Sequence, residues 1–169
     1  MRNFAKRSEQ DRRDLFRATA QAMQIHEAII EKDFWVCWVL DYLFQNSQWK
    51  DKMAFKGGTS LSKAYHAIER FSEDIDLILD WRLLGYHKEE PWADRSANRQ
   101  DKFNIAVNKQ CSIFLKKEFA PALGQALKEL VAREISIETR EQEVCFLQVG
   151  IPHYCKIFSP APVGKIRLI

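Results

Sequence analysis

Asp74 and Asp76 stand one residue apart in Asp74-Ile75-Asp76-Leu77-Ile78-Leu79-Asp80, a run with the composition and alternation of a strand. Successive strand side chains alternate faces, so both acids project from one side, while Ile75 and Leu77 point to the opposite, buried one. Two carboxylates that close repel each other. A divalent cation relieves that repulsion, and hard oxygen ligands suit Mg²⁺ or Mn²⁺.

Upstream lies Phe55-Lys56-Gly57-Gly58-Thr59-Ser60, a glycine turn that opens directly into a helix, with eleven residues between Ser60 and Ser72-Glu73-Asp74. Gly57 and Gly58 let backbone approach a ligand closely. The helix N-terminus adds N–H groups and a positive dipole end, which together favour a phosphate. The Thr59 and Ser60 hydroxyls are expected to donate to phosphate oxygens, and Lys63, one turn further on, to reach the same anion. A Gly-Gly pair alone is usually a turn, and D-x-D alone is common in surface strands. Their joint occurrence around one amphipathic helix points to metal-assisted phosphoryl or nucleotidyl transfer from a triphosphate. The Walker pattern, G-x-G-x-x-G, H-E-x-x-H and G-x-S-x-G are all absent from the sequence.

The elements that must hold these residues can be read from spacing. Leu15, Thr19, Ala22, Met23, Ala28 and Ile29 follow helical spacing loosely from Asp14. Asp33 is placed to cap a second helix to about Phe44, apolar nearly all round, with Trp35, Trp38, Tyr42 and Phe44 at core spacing. Met53-Ala54-Phe55 reads as a short strand. A helix from Thr59 or Ser60 is expected to bury Leu61, Ala64, Tyr65 and Ile68. Residues 82 to 100 read as a loop, followed by helices over about 101–117 and 121–133. Strand-like runs follow at Ile135–Thr139, Glu143–Val149, Tyr154–Phe158 and Lys165–Leu168. The order argues an α/β (α+β) domain, with a helical portion over 1–48 packed on a core domain over 49–169 as one compact unit.

The 169 residues are enough for one domain with its own core, and 46% hydrophobic with 29% charged residues excludes a disordered chain. No apolar run approaches the roughly 18 residues of a membrane span and no apolar signal core follows the first residues, so the chain is expected to be soluble and cytoplasmic. Cys37, Cys111, Cys145 and Cys155 form no C-x-x-C pair and read as buried thiols, and His26, His66, His87 and His153 are scattered. Arg2, Lys6, Arg7, Arg12, Arg13 and Arg17 make the leading segment basic, which is either a solvated helix face or a contact for nucleic acid.

Lys56-Gly57-Gly58-Thr59-Ser60-Leu61-Ser62-Lys63, followed by Arg70-Phe71-Ser72-Glu73-Asp74-Ile75-Asp76-Leu77, resembles the nucleotidyltransferase toxins of the AbiEii/AbiGii type, within the DNA polymerase β-like nucleotidyltransferase superfamily. Glu31-Lys32-Asp33-Phe34-Trp35 is similar to the family's E-K-D-aromatic segment. The resemblance is specific between Glu31 and Leu77. It implies a small mixed sheet flanked by helices. It also implies the toxin of a toxin–antitoxin or abortive-infection system, neutralised by a cognate antitoxin, which moves a nucleotide from an NTP with Mg²⁺ to an RNA (such as tRNA) or protein acceptor. Carried over by position, Gly57, Gly58, Thr59 and Ser60 would bind the triphosphate, Asp74 and Asp76 the metal, and Lys63 would assist the phosphates.

The superfamily places a third carboxylate on a later strand. Val163-Gly164-Lys165-Ile166-Arg167-Leu168-Ile169 resembles the approach to it and ends where the acid is expected, so the chain reads as a fragment, a truncated gene product or a degenerate copy; Glu138 on the Ile135–Thr139 strand reads as an exposed strand glutamate before it reads as a substitute acid. Two other readings stand beside the enzyme: an inactive remnant that binds nucleotide or a partner protein, and an RNA-binding module that uses the basic leading segment.

Overall fold

A computed structural model describes residues 2–67, 74–129, 136–140, 145–150 and 164–168, the last three segments as backbone. Helix α1 (Arg2–Ala5) leads into α2 (Glu9–Met23), which Ser8 caps by accepting from the Asp11 N–H at 3.1 Å. Gln24, in the left-handed region at φ 56°, stops α2, and His26 starts α3 (Glu27–Asp41) by accepting from the Ala28 N–H. The sequence therefore yields two helices with a break at 24–26. Asp33 is not the cap expected of it, because it stands in the second turn of α3 with helix on both sides. A π turn (Tyr42–Asn46) carries the helix on to Ser47.

Strand β1 (Met53–Lys56) runs straight into α4 (Gly57–Lys63), and β2 (Ile75–Leu79) follows. Two short 3₁₀ turns, Trp81–Leu84 and Glu90–Trp92, punctuate the expected loop, whose last residues already belong to the next helix. Helix α5 (Ala97–Phe114), a π turn (Leu115–Phe119) and α6 (Ala120–Lys128) form one continuous run where two separate helices were expected. Pro121, which has no N–H to give, falls just after the π turn, where the hydrogen-bond ladder is already shifted.

Strands β3 (Ser136–Arg140), β4 (Cys145–Gly150) and β5 (Gly164–Leu168) complete a five-stranded sheet of order β1-β2-β5-β4-β3. β2 and β5 are parallel, and the other pairs are antiparallel. The fold is thus the expected mixed α/β arrangement. The Tyr154–Phe158 run lies outside the described residues.

One hydrophobic cluster joins the helical beginning of the chain to the sheet. Trp35, Trp38 and Leu43 share it with Leu77, Phe119, Leu123 and Leu127. Trp38 stacks on Tyr42 at 5.8 Å between centroids, so these aromatics serve packing. Along β2, Ile75, Leu77 and Leu79 are buried while Asp76 is half-buried and Ile78 exposed, the two-residue period read from the sequence. Burying each of those aliphatic side chains contributes about 1.5–3 kcal/mol, which fixes the register that turns Asp76 outward.

Helix α4 departs from expectation. Leu61 and Tyr65, assigned to a core-facing stripe, are 45% and 73% exposed. The face turned inward carries Thr59 and Ser60 instead. The helix closes at Lys63, and His66 adopts a left-handed conformation, so the stripe never spans two turns; Ile68 lies outside the described residues. Among the described residues no helix is long and apolar enough to cross a membrane.

Candidate active site

The geometry turns on Gly57. It is the first residue of α4, at φ +78°, a region L side chains rarely occupy, and it abuts the carboxylate of Asp76. A methyl carbon on Gly57 would lie 3.0 Å from Asp76 Cγ and 3.1 Å from its Cβ, and closer still to Oδ2. The glycine turn and the acid strand therefore meet, as their sequence order suggested. β1 and β2 make this contact by pairing so that Lys56 stands directly opposite Asp76 and Phe55 opposite Leu77.

Thr59 Oγ1 donates to the main-chain carbonyl of Asp74, pinning α4 to the residue just before β2. Asp74 thus precedes the ladder, and Asp76 lies within it. Ser60 Oγ donates to the Gly57 carbonyl at 2.8 Å, closing the first turn of the helix. Both hydroxyls, expected to meet phosphate, are buried and bonded to the chain's own carbonyls, the usual competition for a hydroxyl in a first helical turn. What the turn offers an anion is its main-chain N–H groups.

Lys63 is ion-paired with Asp33 of α3, both side chains about a quarter exposed. Its ammonium is therefore engaged by α3, a contact that its spacing from the glycines did not suggest. The Cys37 thiol lies one helical turn from Asp33 and donates to Asp33 Oδ2 at 3.9 Å. Burial, then the neighbouring Asp33 carboxylate, pushes the Cys37 thiol above its ordinary pKa. Cys111 is a buried thiol, as expected.

No group of three His, Cys, Asp or Glu side chains gathers among the described residues. Glu138 cannot complete the acid pair: β3 is the far edge of the sheet, three strand spacings or about 14 Å from β2. β5, the strand in which the sequence resembles the approach to a third acid, lies directly beside β2. Arg70 and Glu73 lie outside the described residues.

Lys56 is the residue sequence reasoning passed over. The glycine turn draws attention from it, although Phe55 packs against the core and strand alternation then puts Lys56 on the side of Asp76. In the basic leading segment, Arg12 is buried and donates to the carbonyls of Ala5 (2.9 Å) and Arg7 (2.5 Å), and Arg17 pairs with Glu27 at 3.8 Å. Arg12 and Arg17 thus serve the fold or a neighbouring acid, which weakens the reading of this segment as an RNA-binding face.

These features are those of a nucleotidyltransferase-like α/β domain. The sequence model described as nucleotidyl transferase AbiEii toxin, type IV toxin–antitoxin system, matches residues 38–157, and the chain belongs to that family. The match covers the glycine turn and the acid strand and leaves the Glu31–Trp35 segment outside. No curated protein and no solved structure matches the chain. The family is one of toxin nucleotidyltransferases of type IV toxin–antitoxin systems, which implies a transferase paired with a cognate antitoxin.

Proposed function

We propose that the chain transfers a nucleotide from an NTP to an RNA or protein acceptor in the cytoplasm, using Mg²⁺ or Mn²⁺, and that this modification is how it acts as a toxin. The observation that supports the reading is the contact of Gly57 with Asp76, which brings the glycine turn against a carboxylate of the kind that holds a metal ion.

The donor set fits a hard cation: Asp76 within β2 and Asp74 just before it are two carboxylates one residue apart, and Mg²⁺ is commonly held by one or two carboxylates plus substrate phosphates. When bound, the ion would offset charge on the phosphates and activate the attacking hydroxyl. The protein's own residues position the substrate. The main-chain N–H groups of Gly57 and Gly58 receive phosphate oxygens, the Thr59 bond to Asp74 keeps that turn in place, and Asp76 stays outward because Ile75 and Leu77 are buried.

The test is incubation with each labelled NTP, Mg²⁺ and total RNA or cell protein. Label transfer by the wild type that is lost in Asp74→Asn/Asp76→Asn is expected. Mg²⁺-dependent NTP binding of equal affinity in the wild type and the double variant would refute the metal assignment.

A further inference from the structure

Two lysines flank the glycine turn, and the structure gives them different surroundings. Lys63 is engaged by Asp33 across the gap to α3. Lys56 ends β1 directly across from Asp76, in a register that also sets Phe55 opposite Leu77. Directly opposed residues of an antiparallel pair project from the same sheet face, with Cβ atoms about 4.5–5.5 Å apart. Leu77 is fully buried, so the face of Lys56 and Asp76 is the one turned away from the core. Lys56 is half-buried, and the residue after it is the glycine in contact with the Asp76 carboxylate.

We propose that Lys56 is a phosphate-binding residue of this site, and that Lys63 instead braces α4 against α3 through Asp33. The proposal rests on the nucleotidyltransferase reading and deepens it. Two acidic side chains repel an incoming polyphosphate, and a metal ion offsets only part of that. A lysine at the lip of the turn supplies a compact, mobile positive charge on the same face, suited to oxygens that shift as a phosphate bond breaks. Its flexible stem lets the ammonium follow those oxygens while the backbone stays locked in the β1–β2 ladder.

The test is binding of each of the four Mg²⁺–NTPs by titration calorimetry, with thermal denaturation alongside. A hydrogen bond to a charged partner is worth about 1.5–3 kcal/mol, so Lys56→Ala and Lys56→Gln are expected to weaken binding about 10- to 100-fold with little change in Tm. Lys56→Arg, which keeps the charge, is expected to restore most of the affinity. A role in strand pairing alone would lower Tm and leave Kd unmoved. Unchanged affinity in both neutral variants, in a protein whose Asp76→Asn variant no longer binds, would overturn the assignment of Lys56 and leave the nucleotide reading standing. Failure of the wild type to bind any Mg²⁺–NTP would overturn both.

Discussion

Replacing Gly57 by alanine tests the contact on which the site depends, and Gly85 supplies the control. Both glycines have positive φ, +78° and +88°, so in each an added Cβ incurs the left-handed penalty of about 1–2 kcal/mol. At Gly85 the new methyl meets nothing within 4 Å. At Gly57 it meets the Asp76 side chain, with Cγ at 3.0 Å and Cβ at 3.1 Å. Rotating the carboxylate moves Oδ2 but not Cβ, so either α4 or β2 must shift, and overpacking of that kind costs about 1–3 kcal/mol. For a chain of this size each kcal/mol lowers Tm by about 2–4 °C, so Gly57→Ala is expected to melt about 2–12 °C below Gly85→Ala. Denaturation of both variants and of Gly57→Ala/Asp76→Ala measures it, and the double variant should recover part of the loss because the crowding group is gone. Calorimetry with Mg²⁺–NTP adds the functional side: Gly57→Ala should lose binding that Gly85→Ala retains. Equal stability and equal binding in the two single variants would show that the turn does not abut the acid strand, and the proposed site would fall with it.

The Asp33–Lys63 pair is only about a quarter exposed, so Asp33→Asn and Lys63→Met should each destabilise by about 1–3 kcal/mol, with a double-variant loss well short of the sum in urea denaturation. In Asp33→Asn the Cys37 thiol loses a neighbouring negative charge, so peptide-resolved alkylation should begin at lower pH than in the wild type; an unchanged profile would mean that Asp33 does not face the thiol. Asp80 caps the 3₁₀ turn after β2 by accepting from the Arg82 N–H, and hydrogen bonding from the Arg82 side chain holds its carboxyl below the ordinary range. A depressed folded pKa adds stability that is present above the ordinary carboxylate value and lost as pH falls through the folded one. Asp80→Asn should therefore cost about 1 kcal/mol near pH 7 and progressively less below about pH 4, read from denaturation midpoints across that range.

The acid strand was legible because two simple rules agree there: alternation set Asp76 on the side opposite Ile75 and Leu77, and those two aliphatic residues needed burial. The glycine turn was legible for the same reason, since only glycine tolerates both the backbone angle and the contact at position 57. Helix α4 misled. Its apolar spacing was real, but a seven-residue helix buries what its hydrogen bonds demand, and Thr59 and Ser60 won that face through carbonyls that spacing cannot reveal. Lys63 and Asp33 are far apart in the chain, and no local pattern announces that they meet. Lys56 was recoverable in principle, given the antiparallel register of β1 against β2, but a register belongs to two strands and is not written in either.

The parallel pairing of β2 with β5 bears on when the acid strand can become fully flanked during synthesis. Ile75 is matched with Ile166, more than half the chain away, whereas β1, α4 and β2 are close neighbours in sequence. Contacts of such unequal separation form in order, local ones first. Pairing of β2 with β1 is therefore available early, whereas β2 can gain its second neighbour only once residues 164–168 have been synthesised.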